Sequence, residues 1–234
     1  MINETYKQGE AVATTLLTLL DGSTQREGEF RRKYAIQSEQ MANLHVLAFQ
    51  DPLTGLLNRR GFGMALHRQT SILQRYTHAH KSEFYPPHIV FLDLDNFKII
   101  NDIYGHLRGD QALLKVTAIL REVFHRDETE AICRWGGDEF IVLLSSSTQE
   151  EAVGRAELLR KRIESEEELR FSQENFITAS IGVTMVNIRQ DTKPDEMDLL
   201  FHIAKESADR ALYHSKQLGR NTVTLAVGDN FRIV

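Results

Sequence analysis

Hydrophobic positions along the chain fall into two alternating patterns. His88-Ile-Val-Phe-Leu-Asp-Leu-Asp95 is a nearly continuous apolar run ending in two aspartates one residue apart. It predicts a buried strand with both carboxylates on one face at its C-terminal end. Residues 107–125 return to helical spacing. Two short apolar runs follow, Ala131 to Trp135 and Phe140 to Leu144, separated by Gly-Gly-Asp-Glu, which reads as a β-hairpin with its turn at the glycines. Glu150 to Glu168 predicts a further helix, opened by the capping box Thr148-Gln-Glu-Glu151. Phe176 to Val186, rich in β-branched residues, predicts the next strand. This order, strand, helix, strand, strand, helix, strand, is the split βαβ plan. The expected fold is therefore α+β, with a ferredoxin-like βαββαβ core whose central, mostly antiparallel sheet is flanked by helices.

Upstream of this core the pattern is helical. Val12 to Leu20 reads as one apolar helix, Asp21-Gly-Ser-Thr breaks it, and Glu27 to Gln50 resumes as a helix running into the main domain. Phe30, Tyr34, Gln37, Met41, Leu44 and Ala48 follow a three-four spacing, although Gln37 and Ala48 weaken it as a coiled-coil seam. The expected division is an N-terminal helical segment over 1–50, for dimerisation and regulation, and a main domain over 51–234. The alternative is a helix that packs on its own domain.

Composition narrows the class. With 234 residues, 41% hydrophobic content and a formal charge of −5, the chain can form one well-packed domain plus a short extension. Its acidity argues against nucleic-acid binding. The single cysteine, Cys133, excludes an intramolecular disulfide and reads as a small apolar residue facing a neighbouring element. No apolar run approaches the roughly 20 residues that cross a bilayer. Val12 to Leu20 is too short and too interrupted by threonines for a signal peptide. A cytoplasmic protein without stable membrane insertion is expected.

The topology also predicts where acidic side chains meet. The first two strands run the same way, so Asp93 should lie near Asp138 and Glu139 in the hairpin. Glycines there allow close approach of a ligand to the backbone. Carboxylates gathered at one sheet edge repel one another unless a cation joins them, and hard oxygen donors suit Mg²⁺. A cation held by few carboxylates keeps positions open for phosphates, so phosphoryl transfer on a metal-held nucleotide is the chemistry expected.

The residues carry a resemblance. Asp51-Pro-Leu-Thr-Gly-Leu-Leu-Asn-Arg-Arg60, Asp93-Leu-Asp-Asn-Phe-Lys98, Asn101-Asp102 with Gly105-His106 and Gly109-Asp110, Gly136-Gly-Asp-Glu-Phe140, Ser180-Ile-Gly-Val183, Ala208-Asp-Arg-Ala-Leu-Tyr213 and Lys216-Gln-Leu-Gly-Arg-Asn221 stand in unbroken order from Asp51 to near Val227. Seven motifs in register resemble the GGDEF family of diguanylate cyclases, which join two GTP molecules into cyclic di-GMP on a palm-type fold.

The resemblance implies roles for matching positions. Asp93, the backbone carbonyl of Leu94 and Asp138 become metal ligands for Mg²⁺, with Mn²⁺ as an alternative. Glu139 binds metal or helps remove the proton of the attacking 3′-hydroxyl, a role left open between Asp138 and Glu139. Asp95 either binds metal or caps the helix starting near Asn96. Lys98 stabilises the triphosphate at a helix start. Asn101, His106 and Asp110 match nucleotide-binding positions: a carboxylate accepts guanine N1–H and N2–H together, and adenine offers no such pair. His106 either touches the nucleotide or packs. Lys216 and Arg220, four apart near the end of the last helix, match a phosphate-contacting pair, with the helix dipole as the plainer explanation. Asn221 reads as part of the helix-stopping turn, Arg134 as a phosphate contact or a sheet-edge ion pair, and Trp135 as packing. A homodimer follows, because each domain brings one GTP and the two must meet.

One departure matters. The family's inhibitory Arg-x-x-Asp element falls on Asp127-Glu-Thr-Glu130, where an acid replaces the required cation and Arg126 is out of register. The primary product-inhibition site is expected to be absent. Two other readings stand: a domain that binds GTP or protein without turnover, and a cyclase making a mixed or mononucleotide product.

Overall fold

The computed structural model describes residues 25–68, 85–124, 130–144, 147–188 and 192–234. The chain divides into two units, 1–50 and 51–234. Within the first, helix α1 covers Gln25–Phe49. Phe30, Tyr34, Met41 and Leu44 are exposed along it, and the Phe30 and Tyr34 rings stack one turn apart. The expected helix at Val12 to Leu20 lies outside the described residues.

The second unit is built on a six-stranded sheet in the order β2-β3-β1-β4-β5-β6. Its strands are β1 (His88–Asp95), β2 (Ala131–Gly136), β3 (Glu139–Leu144), β4 (Thr178–Met185), β5 (Val223–Val227) and β6 (Asn230–Ile233). All neighbours pair antiparallel except β4 and β5. The helices are α2, described over 59–68, α3 (Phe97–Tyr104), α4 (His106–Phe124), α5 (Gln149–Ser165) and α6 (Met197–Gln217). The first four strands with α4 and α5 make the expected βαββαβ core, and β5 and β6 extend it. Helix α5 stops at Ser165, before the expected Glu168, and a 3₁₀ turn at Glu167–Leu169 buries Leu169 beneath it. Its capping box is present: Thr148 Oγ1 accepts from Glu151 N–H over 3.2 Å, and Glu151 Oε2 accepts from Thr148 N–H over 2.9 Å.

Strand alternation sends side chains to two cores. Val90, Leu92, Leu94, Phe140 and Val142 meet Phe97 and Ile100 of α3, Leu113 and Val116 of α4, and Ala156 and Leu159 of α5. Ile89, Phe91, Ile141 and Leu143 face the other way, against Phe62 and Leu66 of α2 and Ala204, Ala208 and Leu212 of α6. Cys133 is buried in this second core, where burial pushes its thiol pKa up. Gly182 explains how closely α6 lies on the sheet. A Cβ there would stand 2.0 Å from the Ala208 carbonyl oxygen and 2.6 Å from Leu212 N, so only glycine fits between β4 and the helix. The same close seat delivers the end of α6 to the end of β1.

Candidate active site

Strand register brings the acidic residues together. Asp93 is the ladder partner of Glu139, and Leu94 N–H donates to the Asp138 carbonyl over 3.3 Å, tying the end of β1 to the turn. Asp93 follows Ile89 and Phe91 in the strand, and Glu139 precedes Ile141 and Leu143, so both side chains belong to the sheet face that α6 covers. From α6, Lys216 Nζ lies 2.8 Å from Asp93 Oδ1. Burial raises the Asp93 pKa to about 6, the neighbouring charges of Asp138 and Asp95 push the same way, and Lys216 opposes them.

Asp95 does something else. It is buried, its Oδ1 accepts from Ser180 Oγ over 2.8 Å, and its Oδ2 accepts from Thr178 Oγ1 over 2.8 Å and from Asn221 N–H over 3.0 Å. It therefore does not cap α3, whose N-cap Asn96 is left-handed with no side-chain capping bond. Asn221 continues the network, accepting from Arg160 over 2.9 Å and donating to Glu164 over 2.7 Å. The helix-stopping turn is thus fastened to β1 and α5 at once. Arg220 departs from its expected place: α6 ends at Gln217, and Arg220 follows with φ 70°, its Nε 4.0 Å from Asp95 Oδ1. Lys216 and Arg220 share a carboxylate-lined edge without sharing a helix face.

Two arginines hold the hairpin turn. Arg134 donates from Nε and Nη2 to the Gly137 carbonyl over 2.9 and 2.8 Å, while its Nη1 meets Asp51 Oδ1 at 3.1 Å. Asp51 also accepts from the Thr54 N–H and hydroxyl. Burial acts to raise its pKa, yet these hydrogen bonds and the Arg134 charge hold it below the usual carboxylate value. Of the two readings of Arg134, the ion pair is the one present. Arg59 donates from Nε to the Trp135 carbonyl, and its guanidinium lies 4.9 Å from the Trp135 ring centre. Trp135 packs edge-on against Phe62.

The remaining residues sit on α3 and α4. Lys98 is exposed in the first turn of α3. Asn101 is half-buried, and a Cβ at Gly109 would stand 1.9 Å from its Oδ1, so its amide lies directly on the α4 backbone beside half-buried Asp110. His106 is exposed at the start of α4. Sequence reasoning missed the Asp95–Asn221–Arg160 network and the Arg59 contact. Asn221 and Arg59 were visible only as members of motifs, because their partners are far away along the chain.

The donor set fits a hard cation. The Asp138 charge helps to raise the Asp93 pKa, a repulsion that a divalent cation between the two carboxylates would relieve. Among the described residues no three His, Cys, Asp or Glu side chains converge as a metal centre, so backbone, water or phosphate oxygen would complete the shell.

Comparison with known proteins agrees with this geometry. The family model for the diguanylate cyclase GGDEF domain matches residues 48–222. Diguanylate cyclase A of Treponema denticola is 38% identical over 138 residues, covering 59% of this chain and 34% of its own length. Diguanylate cyclase DosC of Escherichia coli is 34% identical over 176 residues, covering 75% of this chain and 34% of its own. The chain thus spans about a third of the length of these curated relatives. The solved coiled coil and GGDEF domain of DgcB from Caulobacter crescentus, in complex with c-di-GMP, superposes with a TM-score of 0.69 at 28% identity, over 86% of this chain and 97% of that one. Diguanylate cyclase SiaD from Pseudomonas aeruginosa, solved with its activator SiaC, gives 0.58 at 26% identity, over 96% and 79%. This chain belongs to the GGDEF diguanylate cyclase family.

Proposed function

We propose that the protein condenses two GTP molecules into cyclic di-GMP with release of two pyrophosphates, one GTP being brought by each of two copies of the chain. The observation that carries this reading is the pairing of Asp93 with Glu139 across the ladder, at the foot of the turn that Arg134 holds. In each step the 3′-oxygen of one GTP bonds to the α-phosphorus of the other. The bond from that phosphorus to the pyrophosphate oxygen breaks, pyrophosphate leaves with the electron pair, and the hydroxyl proton passes to Asp138, Glu139 or water. Asp93, Asp138 and the Leu94 carbonyl would hold Mg²⁺ or Mn²⁺, which when bound neutralises charge on the phosphate oxygens. Asn101 and Asp110 read the guanine edge with His106 beside them, and the Asp110 carboxylate left facing the N1 acceptor of adenine disfavours ATP. Lys98, Lys216 and Arg220 supply cationic charge for the triphosphate.

Residues 1–50 act as the dimerisation and regulatory segment, supported by the exposed apolar stripe of α1 and by the likeness to DgcB's coiled coil and GGDEF domain. Among the described residues no helix is long and apolar enough to cross a membrane. A cytoplasmic place follows from the substrate, since GTP is a cytoplasmic nucleotide. The primary product site is absent in this reading: an acid, Asp127, stands where the inhibitory element has its arginine, and buried Glu130 is held by Arg155 Nη2 at 2.8 Å. Incubating full-length protein with GTP and Mg²⁺ and separating the products tests the reading. Cyclic di-GMP from wild type and none from Asp138→Ala is expected; GTP bound and left unconverted by an assembled dimer would point to a receptor instead.

A further inference from the structure

Glu139 is the ladder partner of Gly136 on one side and of Asp93 on the other. Directly opposed residues present their side chains on one face of the sheet, so the three positions form a row across β2, β3 and β1 at the acidic edge. Gly136 is the bare position of that row. Its neighbour Gly137 is left-handed, with φ 47°, as the turn requires, whereas Gly136 has no positive φ. What asks for glycine at 136 is space: a Cβ there would stand 3.0 Å from Arg59 Nη2 and 3.8 Å from Glu139 Oε2. The Arg59 guanidinium thus lies over Gly136, beside the Glu139 carboxylate.

The chain before and after Arg59 fixes it there. Leu57 N–H donates to the Ile132 carbonyl over 3.1 Å and the Leu57 carbonyl accepts from Arg134 N–H over 2.9 Å, so this segment runs along the outer edge of β2. Asn58 Oδ1 then accepts from the N–H groups of Arg60 and Gly61, each over 3.0 Å, and so starts α2 at Arg59. The Nε of Arg59 donates to the Trp135 carbonyl, and the guanidinium lies 4.9 Å from the Trp135 ring centre. A planar fork anchored at Nε carries its Nη2 to one place, which a lysine cannot copy.

Glu139 therefore stands between two sets of cations. On the α6 side it lines a cleft with Arg210 and Lys216, and Lys216 is already engaged by Asp93 at 2.8 Å. On the α2 side is Arg59. A carboxylate drawn wholly towards α6 would leave the edge where Asp93 and Asp138 lie, and a fixed cation on its other flank opposes that pull. Resting on the cyclase reading above, we infer that Arg59 is a positioning residue of the reaction: it takes the room that Gly136 leaves and keeps Glu139 at the acidic edge, acting through that carboxylate rather than on the nucleotide.

The test uses the full-length protein, GTP, and 3′-deoxy-GTP, which has no hydroxyl to attack with. Arg59 is exposed, so Arg59→Ala should keep the fold and bind 3′-deoxy-GTP in equilibrium dialysis as wild type does. Its kcat should fall about tenfold or more while KM for GTP stays the same. Arg59→Lys, which keeps the charge and loses the fork, should recover part of the rate. Gly136→Ala should be about as slow as Arg59→Ala, because its Cβ displaces the guanidinium, and adding it to Arg59→Ala should slow turnover no further. A wild-type kcat in Arg59→Ala would overturn the proposal, as would a raised KM or lost 3′-deoxy-GTP binding, either of which would make Arg59 a nucleotide or folding contact. An Arg59→Lys enzyme no faster than Arg59→Ala would leave only the Trp135 contact and overturn it too. So would a double variant slowed by the full effect of both changes, which would give Gly136 a separate role. Wild type forming no cyclic dinucleotide would remove the parent reading and this one together, whereas an active wild type with an unaffected Arg59→Ala removes only this one.

Discussion

Lys216 Nζ stands 2.8 Å from Asp93 Oδ1, joining the last turn of α6 to the last residues of β1 across 123 positions of sequence. The pair is partly buried, with side-chain exposures of 34% and 14%. Lys216 thus does two things in one place: it lessens the cost of the Asp93 charge, and it fixes a cation where a triphosphate would lie.

Asp93 sets a pH dependence. Its folded pKa of about 6 lies above the ordinary 3.8, so the folded chain holds this proton more tightly than the unfolded chain. Without divalent cation, this group's contribution is therefore most favourable below pH 4 and is lost as pH rises from about 4 through 6. A cation competes with the same proton, so Mg²⁺ affinity should fall as pH drops below about 6. Lys216→Met should move that midpoint upward. Trp135, the only tryptophan and one residue before the glycine turn, provides the fluorescence signal for Mg²⁺ titrations between pH 5 and 8.

Gly109→Ala should act through Asn101. The new Cβ would meet Asn101 Oδ1 at 1.9 Å and Cγ at 2.9 Å, and a side-chain amide can swing away where backbone could not. The fold should survive while GTP affinity falls about tenfold or more, as in Asn101→Ala. Equilibrium dialysis with 3′-deoxy-GTP reads this; unaltered binding would show that Asn101 does not touch the nucleotide.

Asp95→Ala should cost stability. Removing this buried carboxylate strands the Thr178 and Ser180 hydroxyls and the Asn221 N–H. A loss of about 3 kcal/mol is expected, seen as a lower urea midpoint. A midpoint equal to wild type would mean that water replaces the carboxylate without loss.

Added cyclic di-GMP should leave initial rates unchanged over the range in which product accumulates, because an acid stands at position 127 and Glu130 is held by Arg155. Rates that fall with added product, and recover on mutation of Arg126, would contradict this.

Removing residues 1–45 should convert a sedimenting dimer into a monomer, with turnover falling in parallel. Unchanged dimerisation would remove the role given to the N-terminal segment.

Much of this was legible in the sequence because it is local. The run His88 to Asp95 became β1 with the expected limits, and the Thr148 capping box closed as read. Arg220 was misplaced because its backbone turns left-handed after Leu218, which helical spacing does not reveal. Of the two roles offered for Asp95, the helix cap fails because its partners, Thr178, Ser180 and Asn221, come from β4 and the turn after α6. The hairpin of β5 and β6 was overlooked, although Gly228-Asp229 between Val223–Val227 and Asn230–Ile233 is its turn signal.

Whether the protein is a diguanylate cyclase is decided by a joint count of cyclic di-GMP formed, GTP consumed and pyrophosphate released in one reaction of the full-length protein with Mg²⁺. One cyclic dinucleotide and two pyrophosphates are expected for every two GTP, and neither product with Asp93→Ala or Asp138→Ala. Release of inorganic phosphate with GDP, or one pyrophosphate per GTP with a mononucleotide product, would contradict it.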